Sequence, residues 1–165
     1  MNTAMLNVYP HLEFNGMMKF HGWMTKDDIP DDAAYISICN TNDEMYPEEN
    51  RTHWFKEDCV QIINVDFDDV SSEEDESGYA IDYTQAEMLV KFIVENYGRD
   101  FYIHCSAGKS RSQGIARFIL DCGKEISMYK KCEEVSYKER SENPCLTPNW
   151  LVVSMLKNEW RNYKW

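Results

Sequence analysis

"YIHCSAGKSRSQG", residues 102–114, runs from an aromatic and β-branched stretch through a histidine and a cysteine into small and polar residues. It ends in arginine, serine and the first residues of a helical pattern. The residues from 100 to 105 read as a buried strand, and Ile115, Phe118, Ile119 and Cys122 fall on one face of a following helix. The segment between them is short and contains Gly108, whose missing Cβ permits backbone angles that other residues resist. A chain that turns this tightly from strand to helix points its amide N–H groups inward. There the orphan donors and the dipole of the helix N-terminus attract an anion. The same field favours Cys105 as a thiolate. Arg111 supplies a planar fork that can grip two oxygens of a tetrahedral anion, a geometry lysine cannot reproduce.

Two other buried strands are predicted at 33–40, "AAYISICN", and 59–67, "CVQIINVDF". Between 67 and 100 the spacing of Ala86, Leu89, Ile93 and Tyr97 predicts a helix, opened by a Thr84–Glu87 capping box and closed by Gly98. Strand, helix and strand with this crossover length predict parallel pairing. Gly123 is expected to end the helix after the cysteine loop, and a polar helix is expected over 127–140. A last helix should start at "TPNW", with Thr147 as cap, Pro148 in the first turn and a buried stripe of Trp150, Val153, Leu156, Trp160 and Tyr163. The predicted fold class is α/β, one compact layer domain over 1–165 with a mainly parallel central sheet flanked by helices.

Composition narrows the function. Seventeen basic against 29 acidic residues give a net charge of −12, which disfavours a general affinity for nucleic acid or anionic membrane. An anionic substrate would need a local positive site. Nothing near the N-terminus reads as a secretory signal, and no stretch approaches the length of a membrane span. The six cysteines (39, 59, 105, 122, 132, 145) include no C-x-x-C pair and suggest neither a zinc site nor a disulfide framework. The expectation is a reduced, cytoplasmic protein. The segment 66–77 holds seven carboxylates in twelve residues and reads mainly as a solvated loop.

"HCSAGKSRS" matches the H-C-x5-R-S/T signature of the cysteine-dependent protein tyrosine phosphatases, and the chain resembles their small dual-specificity branch. The resemblance is strong over about 100–120, moderate from 59 onward and weak before 33. It implies hydrolysis of phosphomonoesters, phosphotyrosine and also phosphoserine or phosphothreonine on proteins, through a phosphocysteine intermediate and without metal or cofactor. Cys105 would be the nucleophile, and Arg111 with the loop residues Ser106, Ala107, Gly108, Lys109 and Ser110 would bind the phosphate. Ser112 would stabilise the leaving sulfur. The general acid would be Asp69, with Asp68 second; Asp66 should point outward from its strand. His104 is expected to order the loop or to sit in the core. Lys109 resembles a lysine of phosphoinositide phosphatases or faces solvent. Gln113 directs water or lies on the helix surface, and Cys122 packs or pairs with an oxidised Cys105. The alternatives are a phosphoinositide or other non-protein phosphatase, a phosphopeptide-binding module with negligible turnover, and a rhodanese-like sulfurtransferase.

Overall fold

A computed structural model of the chain describes residues 2–41, 46–144 and 147–163. The elements in chain order are β1 (Asn2–Pro10), α1 (His11–His21), β2 (Ala33–Cys39), a 3-10 turn (Glu48–Arg51) and β3 (Ile62–Asp66). Then come α2 (Tyr83–Glu95), β4 (Asp100–Cys105), α3 (Arg111–Lys130), β5 (Val135–Arg140) and α4 (Trp150–Asn162). The five strands form one sheet in the order β3-β2-β4-β1-β5, and each neighbouring pair is parallel. The α/β class with a parallel central sheet is as predicted.

A parallel sheet is stable when both faces are covered, and the strands show it. In β2 every residue is buried, with Ala34, Ile36 and Ile38 in the larger core and Ala33 and Tyr35 in a smaller one on the opposite face. The larger core is closed by α2, α3 and α4, through Leu89, Ile93, Ile119, Leu156 and Trp160 among others. The smaller is closed by Phe14 and Met18 of α1 with Phe55 from the segment before β3. The alternation in β4 places Phe101, Ile103 and Cys105 toward the larger core and Tyr102 toward the smaller.

Several local expectations are corrected. The strand predicted over 59–67 is regular only from Ile62, Cys59 being tied to Ile62 by an isolated bridge. It does not pair with β4, because β2 lies between them. The capping box of α2 is Asp82 with Gln85, two residues before the expected Thr84–Glu87: Gln85 N–H donates to Asp82 Oδ1 at 2.8 Å and Asp82 N–H to Gln85 Oε1 at 3.1 Å. Ile81 and Ala86, both buried in the larger core, bracket that cap in the positions of a hydrophobic staple. Gly123 does not end α3. A Cβ there would lie 3.3 Å from the Tyr97 hydroxyl, so the glycine marks a close approach inside a continuous helix. The helix closes at Lys131, at φ 52°.

The helix expected over 127–140 is the end of α3 followed by β5, whose VSYKER pairs with Asn2–Asn7 of β1. Charged residues on this edge strand leave it a poor template for further pairing. The cap of α4 is Asn149, which accepts from Val152 N–H at 3.2 Å, in place of Thr147. Trp150 is exposed rather than part of the stripe, whereas Val153, Leu156 and Trp160 are buried as expected. Cys145 lies outside the described residues. Among the described residues no helix is long and apolar enough to cross a membrane.

Candidate active site

The C-terminal ends of parallel strands carry the loops that form sites, and here the ends of β1, β2, β3 and β4 converge on the turn from Cys105 to Arg111. Gly108 adopts φ +67°, and a Cβ there would lie 2.7 Å from Pro10 N and Tyr9 C. The turn therefore presses its glycine against the end of β1. Four of its carbonyls are held by neighbouring segments: Ser106 O by His11 N–H at 3.1 Å, Ser110 O by Asn149 N–H and Gly114 N–H at 2.9 Å each. Gly108 O accepts from Gln113 Nε2 at 3.2 Å and Lys109 O from Thr147 Oγ1 at 2.8 Å. Among the described residues, no protein group accepts from the N–H groups of Ser106 through Ser110. Carbonyls tied to neighbouring segments and amides left without protein acceptors make a donor set suited to an oxyanion.

Cys105 sits at the floor, 2% exposed, with Sγ 3.1 Å from Ser112 Oγ on the first turn of α3. Arg111 is buried but firmly oriented. Its Nη1 donates to Asn40 Oδ1 at 2.6 Å and Phe67 O at 2.7 Å, and Nη2 donates to Ser106 Oγ at 3.0 Å. Nε is buried without a hydrogen-bond partner. Both Nη1 protons are thus committed to the strand ends. Among the described residues, Nε–H and one Nη2–H have no protein acceptor.

The two candidate acids separate clearly. Asp68 is 2% exposed and accepts from Thr41 N–H at 3.0 Å, Thr41 Oγ1 at 2.9 Å and Tyr79 N–H at 2.8 Å. All three neighbours are donors, so this carboxylate clasps the loop after β2 to the segment before α2. Asp69 is exposed, and among the described residues its Oδ1 alone is engaged, by Ser110 Oγ at 2.6 Å and Asn149 Nδ2 at 2.8 Å. It stands at the rim of the turn with Oδ2 open. Asp66 points out of its strand, as expected, and meets His53 Nε2 at 2.5 Å.

His104 is fully buried. Its Nε2 lies 2.6 Å from Ser37 Oγ and its Nδ1 3.3 Å from the Cys105 carbonyl. Burial, with the neighbouring His11 second, holds its pKa well below the usual histidine range, so it is a neutral imidazole. Gln113 is also fully buried; Nε2 bridges Gly108 O and Ser141 Oγ (2.9 Å), which makes it a brace for the turn and not a helix-surface residue. Lys109 is exposed. Cys122 belongs to the larger core, and burial pushes its thiol up to about 11. At 1.5 Å per residue it lies about 16 Å along α3 from Arg111, beyond the reach of a disulfide to Cys105.

Asn40 and the Phe67 carbonyl orient the Arg111 fork, and the sequence reading missed both. A polar residue directly after the all-apolar run of β2 was the one available signal for Asn40; a backbone carbonyl carries none. Two sets of metal-capable side chains, His11–Cys39–His104 and Cys39–His53–Asp66, also lie behind the turn. No protein-family model matches the chain, and no curated protein and no solved structure matches it.

Proposed function

We propose that the chain is a phosphatase that hydrolyses phosphomonoesters through a phosphocysteine intermediate. The observation that carries this reading is the Arg111 fork, fixed by Asn40 and Phe67 with its Nε edge unused, beside a sulfur and a row of unpartnered amides. The amides and the guanidinium hold the phosphoryl oxygens as charge spreads over them. The Cys105 sulfur attacks phosphorus, the P–O bond to the leaving group breaks, and Asp69 Oδ2 gives that oxygen its proton. Water then attacks the phosphocysteine, Asp69 takes up the water proton, and the P–S bond breaks. Ser112 Oγ, already at 3.1 Å, donates to the departing sulfur.

Phosphotyrosine on proteins is the proposed substrate, with phosphoserine and phosphothreonine as further ones for a shallow site. The net charge of −12 favours a basic protein surface over anionic lipid. Exposed Lys109 gives the phosphoinositide alternative its one specific support. Lys109→Ala separates the two: a loss confined to inositol phosphates, with aryl phosphate turnover kept, favours the alternative. The primary test is hydrolysis of para-nitrophenyl phosphate by purified protein. Turnover should be blocked by vanadate, indifferent to chelators and absent in Cys105→Ser. Turnover retained in Cys105→Ser contradicts the proposal.

A further inference from the structure

His11 serves two places at once. Its N–H holds the Ser106 carbonyl of the turn at 3.1 Å, while its side chain lines an open cleft of about 650 Å³. The cleft takes its walls mainly from α1 and from the segment 48–56 between β2 and β3. His11 directly follows β1, and His53, also on the wall, meets Asp66 at the end of β3. Cleft and cradle therefore lie at the same end of the sheet, separated by one residue.

The inner wall of this cleft is short of partners. His11 is 2% exposed, and its Nδ1 has no hydrogen-bond partner. One helical turn further on, on the same face of α1, Asn15 Oδ1 is buried and has none either. A buried polar atom left unpaired costs free energy that a ligand's donor would recover. Asn15 is only half-buried, so its amide can turn about χ2 and offer Oδ1 to the cleft. Burial holds the His11 ring below the usual histidine range, so it is neutral and, with its proton on Nε2, accepts at Nδ1.

The outer walls fit a donor that carries positive charge. Glu48 and Glu49 stand exposed on the 3-10 turn, and Lys56 is the one lysine against them on the wall. Met24 and the Trp54 ring are apolar, and that ring already draws Lys19 Nζ to 5.9 Å from its centroid. Two carboxylates, two neutral acceptors and an aromatic wall suit a cation with several donors on an apolar stem. Arginine is that side chain: its methylenes pack along the apolar wall, and its planar fork spreads five donors over the acceptors. Lysine carries the same charge on a compact ammonium with fewer donors.

We propose that this cleft is a substrate subsite that takes an arginine side chain flanking the phosphorylated residue. It rests on the cradle being a phosphatase centre, as in the proposed function, and adds which protein sequences that centre prefers. Only His11 separates cleft from cradle, and three residues of extended chain span about 10 Å. The selected arginine therefore lies within about three positions of the phosphorylated residue.

The test uses phosphotyrosine peptides that differ at one flanking position, carrying arginine, its uncharged isostere citrulline, or glutamate. Each position within reach on either side is varied in turn. The reading is the ratio of kcat/KM for the arginine peptide to that for the citrulline peptide in the same protein, which cancels changes in the cradle itself. At low ionic strength the ratio at the best position should be about 2- to 30-fold, the range of two exposed ion pairs. About 0.5 M salt should compress it. Glu48→Gln combined with Glu49→Gln, both at exposed positions, should bring it close to one. Asn15→Leu should lower it by removing a wall acceptor, and Lys56→Gln should raise it by removing the opposing charge.

A wild-type ratio of one at every position overturns the subsite while para-nitrophenyl phosphate and the peptides are still hydrolysed. A ratio that the paired Glu48→Gln and Glu49→Gln substitutions leave unmoved overturns it too, as does a preference for the glutamate peptide. Turnover of neither the peptides nor para-nitrophenyl phosphate overturns the phosphatase reading and the subsite with it.

Discussion

Arg111 Nη1 donates to Asn40 Oδ1 at 2.6 Å, across 71 residues of sequence. Asn40 directly follows β2 and Phe67, whose carbonyl takes the other Nη1 proton, directly follows β3, so two strand ends orient the fork. A buried hydrogen bond to a charged group contributes about 1.5–3 kcal/mol. Asn40→Ala should therefore lower kcat/KM for an aryl phosphate about 10- to 100-fold. Asn40→Asp should not rescue it fully, because the carboxylate draws positive charge away from the fork. Steady-state kinetics beside a thermal melt check this; wild-type kcat/KM in a folded Asn40→Ala protein contradicts the anchoring role.

Asp69 and Asp68 should differ in kind. Asp69→Asn removes the proposed proton donor and should slow esters of poor leaving groups by about 10²- to 10⁴-fold, while esters of good leaving groups are nearly spared. Asp68→Asn places an amide among three donors and should lower the melting temperature while preserving the wild-type leaving-group trend. A series of substituted phenyl phosphates reads both, and the opposite pattern reverses the assignment.

Ser112→Ala should act on the second step. Losing a hydrogen bond to the departing sulfur should slow hydrolysis of the intermediate about 10- to 100-fold. Rapid-quench kinetics should then show a burst of leaving group followed by slow turnover. A variant that slows the burst and leaves the later phase unchanged contradicts this role.

Gly108→Ala meets both a left-handed backbone and a clash with Pro10 and Tyr9 at 2.7 Å. The expected loss is about 2–5 kcal/mol of stability, or a displaced turn that no longer binds vanadate. Urea unfolding together with vanadate inhibition distinguishes the two. Unchanged values of both contradict the geometry of the turn.

His104 and His11 have folded pKa values below the usual 6.5, burial being the main cause for each. The unfolded chain therefore binds more protons than the folded one as pH falls through about 6.5. Their contribution to stability is present above that pH and is lost below it, with a limiting slope of about 1.4 kcal/mol per pH unit for each group. Urea midpoints should fall between pH 7 and pH 5, and His104→Gln should flatten the decline. A midpoint that rises toward pH 5 contradicts the sign.

The turn from Cys105 to Arg111 was legible because its backbone is local: small residues and one glycine within seven positions join a buried strand to a helix. Ala86, Leu89 and Ile93 were legible for a related reason, since a single helical face carries the signal. What was hidden depends on distant pairing. The VSYKER segment has helix-compatible lysine, glutamate and arginine, and it becomes a strand because β1 offers an open edge. Only Ala4, Leu6 and Val8, alternating into the larger core, announce β1 itself. The different surroundings of Asp68 and Asp69 depend on Thr41 and Tyr79, whose contacts no spacing rule encodes. His53 is a single histidine in an irregular segment, and its contacts with Asp66 and Ser37 exist only once the strands are aligned.

The most direct measurement is acid quenching during turnover of a phosphorylated peptide, followed by mass spectrometry of the digested protein. Covalent catalysis in the cradle predicts an added phosphoryl group on the peptide bearing Cys105, more abundant in Ser112→Ala and absent in Cys105→Ser. Hydrolysis that proceeds with Cys105 unlabelled in both the wild-type and the Ser112→Ala protein, or with the label on another residue, contradicts the account.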